Sequence, residues 1–316
     1  IEIIDKRNEG ETSRISAEGE TYINISQSVV LDKDANKVTP EGPLEFEIGS
    51  ESLAFRDNNS SVKIDGLRAN GIVDLENGTT NVNLSSDKLR VKLDDKQLIK
   101  ASELQLAMQD SNQETKYQAM AKHAYYRDGN VKVSLDDTVL SYTEYKSELD
   151  AQKFNGRAIK NDAFAIGDKI HVNDGENVLR VNGGVELRSI NFFDGGQLSA
   201  LSGADGNFKS GDYQVKLSDN FNAVYEIDKN GRNLYSELSL DKAFIKSDKH
   251  KLKLNESTTT MEFLGEQDDG ETFRINHISK DISYKGEGLK VLSSQIGASV
   301  ISSDNITYGQ VIADNL

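Results

Sequence analysis

The sequence predicts an all-β protein, built as an elongated antiparallel β-jelly-roll, a β-taco or a solenoid-like stack of strands. Apolar and polar residues alternate with a period of two along most of the chain, and short turn signals separate the alternating runs. The only prolines are Pro40 and Pro43. Alternation at this period is typical of strands that have one dry face and one wet face.

The clearest alternating run is "NVKVSL", which places Val131, Val133 and Leu135 on one face of a strand. Similar runs are "KLRVKL", "YQVKL" and "KLKL", and the turns between runs include "RDGN", "ENGT", "NDGEN" and "DKNGR". Gly and Asn in such turns supply the positive φ that tight hairpins require. Longer passages such as "NVNLSSDKLRVKLDDKQ" combine two alternating runs around an Asp-centred corner, without the fixed period of a repeat protein.

Two segments leave alternatives open. Gln97 to Tyr126 is rich in helix formers, but its apolar residues alternate, so a strand is favoured and a short helix over Gln113 to Lys122 stays possible. The Gly-rich passage from Asp194 to Asp212 predicts either a boundary or a long surface loop. The first alternative gives N-terminal β layers over 1–195 and C-terminal β layers over 196–316. The second gives one continuous structure over 1–316.

Charge and composition limit the function classes. The formal net charge of −15 argues against a nucleic-acid partner, because phosphate binding needs clustered Lys and Arg. The basic cluster from Lys246 to Lys253 reads instead as the wet face of a strand. No apolar run approaches the roughly 20 residues that span a bilayer. A chain that starts at Ile1 without Met is what an exported protein without its signal peptide would look like.

No catalytic or metal-binding motif emerges from the residues. The four His are far apart in sequence, and there is no Cys to complete a zinc site. The segment from Asp32 begins like a calcium loop, but Lys37 replaces the required Gly and Pro43 the final Glu. Phosphate-binding and nucleophile motifs are missing. We therefore predict a protein that is not an enzyme and needs no cofactor and no metal.

The apolar face of such strands must be covered in some way. The sheet can fill its own interior, it can polymerise into a layer or fibre, or it can stay open as a groove for acyl chains. The third solution requires medium-sized aliphatic side chains on the inner face. The candidates for the lining of a lipid groove are Ile64, Leu67, Val82, Leu84, Val131, Val133, Ile166, Ile170, Val215 and Leu217.

Two passages resemble the OstA-like strand layers of lipopolysaccharide-transport bridge proteins. They start with "ASELQLAMQDSNQETKYQAMAKHAYYRDGNVKVSLDD" and with "SELSLDKAFIKSDKHKLKL". The residues that carry the resemblance are Ala121, Ala124, Tyr126, Gly129, Asn130, Val131, Val133, Leu140, Tyr142, Phe154 and Gly156, echoed by Asp241, Lys242, Ala243, Phe244 and Gly265. The passage "NGIVDLENGT" is similar to layers of AsmA-type lipid-conducting proteins.

The resemblance implies a β-jelly-roll of the periplasm or cell envelope that transports lipopolysaccharide or a similar lipid between membranes. It also implies docking to other envelope β-jelly-roll proteins by pairing of edge strands, for which Ile1 to Ile4 and Val300 to Ile312 are the candidates. The alternative is a structural surface β protein, such as a surface layer, an adhesin stalk or a phage fibre, with a core that it fills itself.

Overall fold

The chain is all-β, as the sequence predicts. The computed structural model describes residues 2–8, 11–32, 37–57, 59–94, 96–267, 270–303 and 307–314, and the chain divides into two compact units, Ile1–Gln152 and Lys153–Leu316. The strands of the first unit are β1 (Glu2–Asn8), β2 (Glu11–Asp32), β3 (Lys37–Arg56), β4 (Ser60–Asp74), β5 (Thr79–Leu93), β6 (Gln97–Asp110), β7 (Glu114–Asp128) and β8 (Val131–Tyr145).

The second unit continues the same architecture. Its strands are β9 (Lys153–Phe154), β10 (Arg157–Asn173), β11 (Asn177–Phe192), β12 (Gln197–Ala204), β13 (Gly206–Ser210), β14 (Tyr213–Ile227), β15 (Asn233–Lys246), β16 (His250–Gln267), β17 (Gly270–Gly286), β18 (Leu289–Ser302) and β19 (Thr307–Asp314). In the described part of the chain, no helix is long and apolar enough to cross a membrane.

Within each unit, the strands form an antiparallel meander. In the first unit each strand pairs with the next along the chain. In the second unit β12 and β13 lie in line, and together they pair with β11 on one side and β14 on the other. Where a hairpin links two strands, the turn sets the register of the pair up to the first register shift.

Aspartates organise several of these turns. Asp74 accepts hydrogen bonds from the backbone N–H groups of Glu76 and Asn77 at 3.1 and 3.0 Å, and Asp174 does the same for Glu176 and Asn177 at 3.0 and 2.7 Å. Bonds from the side chain and backbone of Asn77 lower the pKa of Asp74 below its ordinary value. This Asx-type bonding explains why "DLENGT" and "NDGEN" fold as tight turns.

A break crosses the middle of the long strands in both units. At the break one residue of a strand takes a left-handed backbone, as Glu103 does with φ 48° and Gly66 with φ 65°. We call these positions the break row. Its other non-glycine members with positive φ are Asp137 in the first unit and Asp205, Asp219, Glu256 and Asp281 in the second. An extra residue of this kind interrupts the ladder and bends a strand.

The break row divides each meander into two arms. In the first unit, arm A contains residues 67–74, 79–86, 104–110, 114–121 and 138–145, and arm B contains residues 60–65, 88–93, 97–102, 123–128 and 131–136. Buried side chains concentrate beside the break, where Leu67 and Leu104 are buried together with Ser86 and Thr138. A line of buried residues thus follows the break, and Leu98 and Tyr145 are buried in addition near strand ends.

The structure settles both segments that the sequence left open. Residues 114–128 form strand β7, so the favoured strand is confirmed and the short helix over Gln113 to Lys122 is wrong. The predicted boundary after residue 195 falls inside the second unit, which begins at Lys153. The Gly-rich passage forms β12 and β13, which are paired on both sides. A boundary between units falls where few contacts cross it. The pairing of β12 and β13 with both neighbouring strands explains why the chain does not divide at that point.

Candidate apolar binding face

Directly opposed residues of an antiparallel ladder lie on the same face of the sheet. In arm A one cross-strand row consists of Leu84, Leu106, Ala119 and Leu140. The parallel row beside it consists of Val82, Met108, Tyr117 and Tyr142. The row between them, on the other face, consists of Asn83, Ala107, Gln118 and Ser141. Arm A thus has one apolar face and one largely polar face.

Arm B repeats this division with different residues. Its apolar rows run through Val62, Val91, Ile99, Tyr126 and Val133, and through Ile64, Leu89, Ala101, Ala124 and Leu135. The apolar positions are two apart within each arm but three apart across the break, as between Ile64 and Leu67. The extra residue at the break corrects this phase shift, because a slip of one residue would otherwise move the apolar set to the opposite face.

The apolar face of the first unit is only partly covered. Leu106 is 39% exposed, Leu140 43% and Tyr117 45%. A concavity of about 420 Å³ lies over this part of arm A, and its lining includes Leu84, Leu106, Met108, Tyr117, Leu140 and Tyr142. The volume falls within the usual size of a pocket for a small apolar ligand. An aliphatic face that stays half exposed is unusual for a protein interior.

The second unit has the same two-arm arrangement. Its apolar rows run through Leu187, Leu201, Ala223 and Leu238 on one side of the break, and through Leu179, Phe208, Val215 and Ile245 on the other. The two rows approach each other at a small core. That core consists of Val181, Val185 and Phe221, packed against Ile170, Leu201, Leu217 and Leu240. The apolar faces of both arms therefore share one side of the sheet.

The total accessible surface agrees with this incomplete covering. The chain exposes 20185 Å². Two separate compact domains, each of half its mass of 34.9 kDa, would together expose about 16,000 Å² on the usual scaling of surface with mass. The excess area is accounted for by sheets that keep both faces accessible within their own unit.

Nine of the ten predicted groove residues lie on the apolar faces. In the first unit Ile64, Val131 and Val133 belong to arm B, while Leu67, Val82 and Leu84 belong to arm A. In the second unit Ile170, Val215 and Leu217 lie on the apolar face.

Ile166 departs from the prediction. It pairs with Glu186, which pairs in turn with Ser202, and this row lies on the face opposite to Leu187 and Leu201. Ile166 and Ile170 are four residues apart, a spacing that would place both on one face of a regular strand. The register between β10 and β11 shifts between Gly167 and Lys169, so the break separates them onto opposite faces.

Val82 and Leu84, which line the concavity in arm A, were among the predicted groove residues. Sequence reasoning missed other side chains of its lining, above all Tyr117, Tyr142 and Met108. The rings of Tyr117 and Tyr142 lie 6.2 Å apart across β7 and β8. Their separation in sequence hides this contact, and only the register of the hairpin brings them together. The alternation of Leu104, Leu106 and Met108 was the available signal.

The polar groups around the break form ion pairs at the surface. Lys122 Nζ lies 2.8 Å from Glu103 Oε1, and Lys242 Nζ lies 2.6 Å from Asp219 Oδ2. The hydrogen bond from Lys122 to Glu103 raises the pKa of that lysine above its ordinary value. Among the described residues, no group of three or more His, Asp or Glu could hold a metal ion.

These features define a class, an antiparallel β meander with a break row and one open apolar face. No protein-family model, curated protein or solved structure matches this chain.

Proposed function

We propose that the protein binds lipids such as lipopolysaccharide through acyl chains on its apolar faces, and carries them between membranes of the cell envelope. The observation that supports this most is the half-exposed aliphatic face of arm A, with its concavity of about 420 Å³. Each methylene group removed from water there contributes about 0.8 kcal/mol. Rows of similar aliphatic side chains offer near-equivalent positions, so an acyl chain can move along them without a deep trap.

The proposed setting is the periplasm or another compartment of the envelope. The proposed partners are other envelope β-jelly-roll proteins, which would pair with an edge strand of this chain. Strand β19 supports this, because Tyr308, Val311 and Ile312 are largely exposed and its described pairing is with β18. An edge of this kind presents backbone groups to which another strand can add.

A photo-crosslinking amino acid tests whether lipid lies on the apolar face. It is placed at Val133 or Leu217, and at the controls Gln118 and Asn222, which lie on the opposite face in the other arm of the same units. We expect lipid adducts at Val133 and Leu217 and none at the two control positions, as measured by mass spectrometry of the protein purified from envelope extracts. Equal labelling of both faces, or no adduct at either apolar position in folded protein, would contradict the proposal and favour a structural β protein.

A charged substitution gives an independent prediction. Leu106→Asp places a carboxylate on the apolar face of arm A, and we expect a several-fold decrease in bound lipid because a charge is costly to bury against acyl chains. Gln105→Asp is the matched control, since Gln105 is exposed on the polar face of the same strand. The measurement is the amount of lipid that copurifies per protein. A similar decrease in both variants would count against the apolar face as the binding surface.

A further inference from the structure

Cations are concentrated on the polar face of arm B, although the chain carries a net charge of −15. Opposed residues place them in adjacent rows of neighbouring strands. The acids on the same rows of β4 to β8 are Asp65 and Asp136. We call this surface the basic face, and its cations include Lys63, Lys88, Arg90, Lys100, Arg127 and Lys132.

The centre of the basic face is a continuous cationic row. Lys63 lies opposite Arg90, and Arg90 lies opposite Lys100. Neighbouring strands are about 4.8 Å apart, so these three charges are close enough to raise one local positive potential. Lys63 Nζ also lies 3.3 Å from Asp65 Oδ1, and Lys100 Nζ lies 5.9 Å from the centre of the Tyr125 ring.

Two concavities open on the basic face. The larger has a volume of about 520 Å³, and its lining includes Lys63, Lys88, Arg90, Lys100 and His123. Ser102 lines the same concavity, and its buried hydroxyl has no hydrogen-bond partner in the protein. The second, of about 420 Å³, is lined in part by Arg56 and Arg90. Asp65 is the acid in the lining of the larger concavity, and the clustered cations around it suit the oxygens of a phosphate group.

The second unit repeats this sorting of charge. The polar face of one of its arms has a single cross-strand row over six strands, with a lysine on every strand except β14, where Gln214 lies. The lysines are Lys209, Lys246, Lys251, Lys285 and Lys290. In both units acids with left-handed backbone are found in the break row, whereas the cations gather on one arm. The recurrence shows that the basic face is a feature of the architecture.

We propose that the basic face docks on the surface of a membrane that contains anionic phospholipids. A sheet face presents many cations side by side, and a bilayer surface presents many phosphates side by side, so the two match in charge and extent. Each Lys or Arg near such a surface contributes about 1 kcal/mol, a contribution that salt screens. The negative charge of the whole chain disfavours long nucleic acids. Docking goes beyond the proposed lipid binding, because it uses the opposite face of the sheet.

Sedimentation with vesicles tests the docking surface. One set of vesicles contains phosphatidylcholine alone, and the other an equimolar mixture with phosphatidylglycerol. The test variant is Arg90→Gln with Lys100→Gln. The matched control is Arg68→Gln with Lys116→Gln, which removes one Arg and one Lys from the polar face of arm A. We expect the native protein to bind the anionic vesicles, the test variant about thirtyfold more weakly, and the control like the native protein.

Four results would overturn the proposal. The first is equal binding of the native protein to both vesicles, and the second is an equal loss in both variants. The third is tight binding of inorganic phosphate, measured by calorimetry, without binding to anionic vesicles, which would assign the concavity to a soluble anion. The fourth is salt-sensitive self-association of the protein without binding to vesicles. None of these results affects crosslinking at Val133, so failure of docking is distinguishable from failure of lipid binding.

Discussion

Deletion of Glu103 is expected to prevent the Ile1–Gln152 unit from folding. Glu103 is the break-row residue of β6, between Ser102 and Leu104. If the neighbouring strands hold the break in place, Leu104 takes the break position, and Leu106 and Met108 move to the polar face. If β6 instead continues as a regular strand, it slips by one residue against both neighbours. Either outcome costs on the order of 5 kcal/mol, which is comparable with the whole stability of a small domain.

The substitution Glu103→Gly is the matched control, because it removes the same side chain but keeps the residue count. Gly adopts positive φ without strain, so we expect this variant to be as stable as the native protein or more stable by up to about 1 kcal/mol. Its lost ion pair with Lys122 is exposed and contributes little. Circular dichroism during urea unfolding measures both variants. A deletion variant that unfolds at the native midpoint would show that the break residue does not set the phase of the strand.

The same break explains how far the sequence could predict the apolar face. The period-two runs and the Gly and Asn turns are local signals, and they correctly gave the all-β class. The corner between the runs is also visible, as an interval of three between apolar positions such as Ala101 and Leu104. The corner also decides which face of the sheet the following residues occupy. This effect cannot be read from the alternating pattern, because it depends on the backbone conformation of each break residue. Ile166 was assigned to the wrong face for this reason.

The basic face shows a second limit of sequence reasoning. The segment from Lys246 to Lys253 was predicted as the wet face of one strand, but the structure divides it into the end of β15, a turn at 247–249 and the start of β16. Lys285 and Lys290 join the same row only through the pairing of β16, β17 and β18. The net charge of −15 hides this local excess of positive charge, because a charge summed over the whole chain does not show where folding places the lysines.

Arg157 provides the second large effect, in the Lys153–Leu316 unit. Its guanidinium donates to Asp194 through Nε and Nη2, both at 2.7 Å, and to Glu226 through Nη1 at 2.7 Å. It also stacks on Phe192, 3.8 Å from the ring centre, and is 24% exposed. Arg157→Ala removes all these contacts and leaves two half-covered carboxylates without their cation. We expect a loss of about 3 kcal/mol in the free energy of unfolding.

The matched control for Arg157 is Lys242→Ala, which breaks the exposed ion pair with Asp219 and should change stability little. The hydrogen bonds from Arg157 lower the pKa of Asp194 from 3.8 to about 2. A carboxyl whose pKa is lower in the folded state stabilises the fold above its unfolded pKa, and this stabilisation disappears as the pH falls from about 4 to about 2. Urea unfolding over that interval should therefore show a steeper loss of stability in the native protein than in Arg157→Ala. Parallel curves for the two proteins would mean that the cation does not hold Asp194 in its charged form.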